Sequence, residues 1–261
     1  MLFRSEQYSM IAVPVFRFIN PSAQALGEAF SKTGSVLLSY ASSIHAKPNA
    51  VWYVCRQYDP KLANPSFVKS AKRGNKHFTL RFISLEEVCE QGFAAYADTR
   101  SRVGLGDGTQ AAFLNRYNAQ RMTDVNLFLG AYSENTLVAF VSMIDFGDAL
   151  EVEGHFSMNE HLKNCPNDAL VDFLLNHYLN DNKYGLVSYG FSSIQLVEGE
   201  GLNVFKIKCG FEAVPIVRVF KLNPKYRLIG STVSRHLVQL MLRLMPTNRV
   251  LKKIQGVLIQ L

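Results

Sequence analysis

The chain lacks most of what would set it apart from an ordinary globular protein. No apolar run reaches the roughly 18 residues that a membrane-spanning helix needs. The first 30 residues carry no secretory leader: Met10–Phe16 is apolar but short, contains Pro14, and is followed by no small-residue cleavage site. These absences predict a protein that stays in the cytosol. Cysteine is scarce. Cys55, Cys89, Cys165 and Cys209 are scattered without a C-x-x-C pair, which argues against a zinc site or a disulfide framework and predicts reduced thiols. There is no P-loop, G-x-G-x-x-G fingerprint, H-E-x-x-H or EF-hand loop, so neither a metal nor a tightly held cofactor is expected. Ser/His/Asp and Cys/His nucleophile motifs are missing too. Proline (9) and glycine (17) are at ordinary levels, which excludes collagen-like and low-complexity classes, and no internal repeat is visible.

What is present is enough for a real core: 261 residues, 48% hydrophobic and 19% charged. The net charge of +7 is unevenly spread. Of the 28 basic residues, nine follow Glu212, and none of the 21 acidic residues does. The first 212 residues are therefore slightly acidic, and the basic tail points to phosphate, whether on a lipid headgroup or a nucleic acid.

Periodicity predicts strands at Ile11–Ile19 and Val51–Cys55 and a helix at Ser22–Lys32. A short basic helix at Pro65–Arg73 should end in a turn at Gly74-Asn75. A strand follows at His77–Ile83, then a helix capped by Ser84 with Glu87 in a capping box. Thr109–Met122 reads as another helix. The clearest pattern is a meander of strands at Asn126–Tyr132, Thr136–Ile144 and Leu150–Ser157. After it come a helix at Asp168–Leu179, a strand at Leu186–Tyr189, a helix at Leu202–Lys208 ending at Gly210, and a strand at Ala213–Leu222. The order β-β-β-α-β-α-β predicts an α+β fold with a mixed, largely antiparallel sheet flanked by helices. Ser231–Met245 and Val250–Leu261 complete an amphipathic helical tail, the latter with an apolar stripe of Val250, Leu251, Ile254, Val257, Leu258 and Leu261. The expected division is an N-terminal part (1–124), a core (125–224) and the tail (225–261).

The stretch Asn126–Leu222 resembles the GNAT acyltransferase fold. More narrowly, it is similar to the branch holding the Fem-type peptidoglycan aminoacyltransferases and acetyltransferase-like proteins of bacterial cell-surface polysaccharide loci. Three pieces carry the resemblance: "NLFLGAYSENTLVAFVSM", "HFSMNEHLKNCPNDALVDFLLNHYL" and "GLNVFKIKCGFEAVPIVRVFKL", the last with an F-K-x-x-x-G-F helix end. Upstream, "NPSFVKSAKRGNKHFTLRFIS" resembles the segment that opens the acceptor-side half in that branch, and residues 1–124 would be a diverged GNAT-like half. One departure stands out. Where GNAT enzymes hold the coenzyme A pyrophosphate on a glycine-rich helix start, Lys163–Ala169 has no glycine, and Asp168 stands there.

The resemblance assigns roles. Lys206 matches the lysine that stabilises the developing negative charge in the Fem-type branch, although a solvated lysine on a short helix would look the same. The end of the third strand, Phe156, Ser157 and Met158, would supply a backbone N–H to polarise the acyl carbonyl, and Asn167 and Asp168 would lie at the donor's pyrophosphate. By period two, Glu151, Glu153 and His155 share one strand face, either as a general-base group or as a wet polar face. His155 is the best single candidate, with Glu153 beside it, because an imidazole titrates near neutrality. Lys69 and Arg73 would bind an acceptor phosphate, or form an ordinary solvated helix face.

The reading is an N-acyltransferase that moves an acyl group from acyl-CoA to an amino sugar or lipid-linked saccharide of cell-surface polysaccharide synthesis. The protein would be peripheral on the inner membrane face through residues 231–261, unless that tail packs on the domain. The absence of a long helical hairpin leans against a tRNA-borne donor. Two other readings stay open: transfer of an aminoacyl group from tRNA to a peptidoglycan precursor, with nucleic acid as partner, and a non-catalytic binding protein.

Overall fold

A computed structural model describes residues 2–6, 9–44, 46–106, 108–118, 125–180, 184–192, 201–226, 232–244 and 249–260. The chain forms two compact units. One comprises Met1–Trp52, Phe191–Glu200 and Ala213–Leu261; the other comprises Tyr53–Gly190 and Gly201–Glu212. They interleave along the sequence, whereas the reading from sequence cut the chain contiguously at 124 and 224. Long-range strand pairing, which no local pattern announces, is what draws the two ends of the chain into one unit.

In the first unit, β1 (Leu2–Glu6) pairs antiparallel with β2 (Ser9–Val13), and β2 runs parallel to β3 (Leu37–Ser42). β10 (Glu212–Leu222) pairs antiparallel with β3. The strand expected at Ile11–Ile19 stops at Val13. Pro14 has no N–H to extend a ladder, and the chain turns with the Arg17 N–H on the Pro14 carbonyl. Helix α1 (Ala23–Thr33) starts where the Ser22 side chain accepts from the Ala25 N–H and ends at Gly34 in the left-handed region. Its Ala29 and Phe30 pack on Met10, Ala12, Leu38 and Tyr40. Two further helices, α8 (Thr232–Leu244) and α9 (Arg249–Gln260), pack against each other. β4 (Ala50–Cys55) begins in this unit and ends in the other.

The second unit is built on β5 (Thr79–Ile83), β6 (Asn126–Ser133), β7 (Thr136–Asp145), β8 (Ala149–Ser157) and β9 (Leu186–Phe191), in spatial order β9-β8-β7-β6-β5. Every pair is antiparallel except β8 with β9, which is parallel. The fold class is α+β, with mixed and mostly antiparallel strands flanked by helices. Three helices, α3 (Leu85–Gln91), α4 (Phe93–Arg102) and α5 (Gln110–Asn118), cover one face. An aromatic core fills it, with Tyr96, Phe113, Tyr117, Phe128, Phe140 and Phe156 in ring contact. α3 begins with the expected capping box, Ser84 and Glu87 bonding each other's backbone N–H. The helix expected at Thr109–Met122 ends at Asn118 among the described residues, and 119–124 lie outside them.

Helix α6 (Pro166–Leu175) packs on the other face, with Ala169, Leu170 and Leu174 buried, and continues into a π-helical turn at Asn176–Asn180. Helix α2 (Pro65–His77) lies against α6. The turn expected at Gly74-Asn75 is absent because α2 runs through it. Gly74 is the point of close approach: a Cβ there would sit 2.6 Å from the Cys165 carbonyl oxygen and 2.6 Å from the Ala169 Cβ. Helix α7 (Gly201–Lys208) completes the unit and ends at Gly210, whose φ is +95°.

Candidate active site

The site forms where β8 and β9 part. Their pairing stops at Glu151↔Ser188, although both strands continue. Beyond that point Gly190 takes a φ of +65° and turns β9, its N–H on the Ser188 hydroxyl. Across the opening the strands meet through side chains: the Tyr189 hydroxyl lies 3.0 Å from His155 Nδ1. Lys206, only 3% exposed, reaches from α7 into this place. Its Nζ lies 4.5 Å from the centre of the Tyr53 ring and 5.0 Å from that of Tyr189. Two ring faces stabilise an ammonium that burial would otherwise disfavour. Phe205, the preceding residue, sets its ring against His155.

Of the three expected catalytic residues, the fold unites two. Lys206 and His155 meet through Tyr189. Glu153 does not join them. Ser142 pairs with Gly154 but Met143 with Val152, so Glu153 is the extra residue of a β-bulge. The bulge breaks the period-two pattern and puts Glu151 and His155 on opposite faces. Glu153 turns to the α5 side, where Arg116 lies 3.5 Å away.

His155 differs from the expected base as well. Burial first, and the Arg102 cation second, push its pKa down to about 3. A proton acceptor so far below neutrality is poorly matched to base catalysis. Burial drives the Tyr189 phenol upward, so its hydroxyl stays protonated and shares a hydrogen bond with Nδ1 of the neutral ring. His155 and the Tyr189 hydroxyl thus hold each other across the opening. Unfolded, the same imidazole takes a proton near its ordinary 6.5. Between pH 6.5 and 3 the unfolded chain binds a proton that the folded chain does not, so stability should fall as pH drops through that window, with no contribution above it. Urea midpoints of the natural protein and His155→Gln, measured from pH 7 to 4, should diverge in slope, with the variant flatter. Parallel curves would refute the buried neutral histidine.

The expected backbone polariser is engaged elsewhere. The Ser157 N–H donates to Thr99 Oγ1 at 2.8 Å, and Arg102 bonds the Ser157 hydroxyl at 3.1 Å. The Met158 N–H donates to the Val138 carbonyl. The Phe156 side chain is a core residue. Two cations thus stand near the opening among the described residues: Arg102, held on Ser157, and Lys206, set against the rings of Tyr53 and Tyr189.

At the start of α6, Asp168 pairs with Lys208 Nζ at 2.6 Å, so its charge is matched within the protein. Pro166, Asp168 and Ala169 are buried, and α2 packs on this turn at Gly74. Asn167 is half-buried, its Oδ1 lacking a hydrogen-bond partner. This helix start therefore has no glycine-lined concavity for a pyrophosphate.

Lys69 and Arg73 do come together. Along α2 they stand with Lys72 and Lys76 at helical spacing, and with Lys61 and Val68 they line a groove of about 650 Å³ that contains no acidic side chain. Arg73 also bonds the Lys163 carbonyl at 3.3 Å. No group of three or more His, Cys, Asp or Glu suited to a metal occurs among the described residues. Sequence reasoning missed Tyr53 and Tyr189. Each sits in an apolar strand, "VWYVC" or "LVSYGF", where an aromatic reads as core.

This arrangement of strands and helices is a GNAT-like fold. No family model and no curated protein matches the chain. Solved structures do. The C-terminal domain of a putative lysylphosphatidylglycerol synthetase from Agrobacterium fabrum is 14% identical, with a TM-score of 0.54 over 83% of this chain and 78% of that one. FemX is 11% identical, with a TM-score of 0.55 over 79% of each chain. L-PGS from Bacillus licheniformis is 13% identical, with a TM-score of 0.53 over 87% of this chain and 82% of that one. At these identities the likeness is one of fold.

Proposed function

We propose that this protein is an acyltransferase that carries an acyl group, delivered as an aminoacyl ester on tRNA, to an amine or hydroxyl of a phosphate-bearing saccharide or lipid. The observation that carries this reading is Lys206, buried between the rings of Tyr53 and Tyr189 where β8 and β9 part. The acceptor nitrogen or oxygen attacks the ester carbonyl, and the Lys206 ammonium stabilises the oxyanion that forms. The carbon–oxygen bond to the ribose then breaks, and the proton lost by the acceptor goes to the departing hydroxyl.

Two features favour an aminoacyl ester over acyl-CoA. The start of α6 has no glycine and is packed against α2 at Gly74, which leaves a coenzyme A pyrophosphate without its usual seat. The structures of similar fold include the C-terminal domain of a protein named as a putative lysylphosphatidylglycerol synthetase, and lysylphosphatidylglycerol is an aminoacylated lipid. The α2 groove, with Lys69 and Arg73, suits the acceptor's phosphate. A lipid-linked saccharide of the cell surface is one such acceptor, and a peptidoglycan precursor is another. Both bring the protein to the inner face of a membrane. No described helix is long and apolar enough to cross one.

The test supplies the full chain with bulk aminoacyl-tRNA or with acetyl-CoA, adds a bacterial lipid-linked precursor extract, and follows product mass. Transfer of an aminoacyl group, weakened by added salt, is the expected result. Transfer from acetyl-CoA alone would reassign the donor. No transfer from either would leave a binding protein.

A further inference from the structure

The stripe expected to meet a membrane was on α9, yet two of its residues are turned inward: Leu251 and Leu258 are buried, the latter 3% exposed. The side chains left outside are mostly on α8. Leu237 (57%), Leu240, Met241 and Leu244 (76%) stand at i, i+3, i+4 and i+7, a single apolar stripe along the helix. Ile254 and Ile259 of α9 are exposed as well.

We infer that the α8 stripe Leu237–Leu240–Met241–Leu244 docks the protein on an anionic lipid surface. Its setting chooses this occupant. The sequences of α8 and its packing partner α9 hold five basic residues and no acidic one, so this pair of helices complements anionic headgroups. Arg243, beside Leu244, is exposed and can reach headgroup depth while its neighbours enter the acyl boundary. A second copy of the chain fits poorly. Joining two such helix pairs would bring five positive charges together with five. Four side chains also fall well short of the roughly 800 Å² per partner of a stable interface. The inference stands on α8 alone and needs no catalytic step, so it can fail while the acyl-transfer reading holds, and the reverse.

The experiment sediments the full chain, without donor or acceptor, with vesicles of phosphatidylcholine or of phosphatidylcholine containing about one third phosphatidylglycerol. Binding only to the anionic vesicles at low salt is expected, weakened as salt rises. The variant Leu237→Ser/Leu240→Ser/Leu244→Ser changes only exposed positions, and an unchanged thermal melt confirms its fold. It should lose binding about tenfold or more. If the natural protein stays in the supernatant, or the folded variant binds equally well, the inference is wrong. It is equally wrong if the natural protein is dimeric by gel filtration and the variant monomeric, because a second copy would then cover the stripe.

Discussion

Replacing Lys206 by alanine should lower kcat for acyl transfer about 100-fold or more, the loss expected when one oxyanion-stabilising donor is removed. The size follows from position. The Ser157 and Met158 N–H groups at the end of β8 are bonded to Thr99 and Val138, and Arg102 is held on Ser157, so the proposed mechanism asks Lys206 to supply the oxyanion's donor. A buried lysine also fills space, and truncating it leaves a cavity that lowers stability by itself. Lys206→Met separates the two effects: it keeps an unbranched stem between Tyr53 and Tyr189 but has no charge. If charge is what matters, the methionine variant is folded and as slow as the alanine one. If it recovers most of the turnover, Lys206 only packs, and the proposed mechanism fails. Tyr189→Phe gives a third reading. It keeps the ring under Nζ and removes the hydroxyl that bonds His155, so it should cost far less than either lysine change.

How much of this could be read beforehand depended on distance along the chain. The meander of β6, β7 and β8 was legible because each strand alternates and its partner follows within a few residues. The capping box of α3 is written in Ser84 and Glu87, three positions apart. The first unit was far less legible. β3 pairs with β10, joining Leu37 to Leu222, and no local signal reports such a pairing. The expected trio of Glu151, Glu153 and His155 failed for a different reason. Period two holds only while a strand has no extra residue, and the bulge at Glu153 reverses the faces on either side of it. Lys206 could be singled out by its F-K-x-x-x-G-F context. Its partners Tyr53 and Tyr189 lie in apolar strands and became recognisable only once folding placed them around the ammonium. Asp168 looked hostile to a phosphate because Lys208, which neutralises it, is 40 residues further on.

The same limit governs Gly74, where a sequence reader sees a turn and the fold has a helix crossing. Gly74→Ala should destabilise the protein by about 1–3 kcal/mol, the range for overpacking a filled interface. The intrinsic preference runs the other way, since alanine in a helix interior is favoured over glycine by about 1 kcal/mol. Contact decides the sign. An added Cβ would lie 2.6 Å from the Cys165 carbonyl oxygen and 2.6 Å from the Ala169 Cβ, closer than such atoms ever sit. The Cys165 oxygen is backbone and accepts from the Ala169 N–H, so it cannot swing aside without loosening the first turn of α6. To make room, α2 has to lift from α6, which also disturbs the Lys208–Asp168 pair beside Ser70. Gly74→Leu should go further and unseat α2, which carries the basic groove. Thermal unfolding should show a lower midpoint for alanine and a still lower one for leucine. At a neighbouring exposed α2 position, Asn75→Ala should leave the midpoint unchanged or raise it, because nothing there is crowded. A Gly74→Ala variant as stable as the natural protein, or more so, would mean that α2 does not cross α6 at this residue.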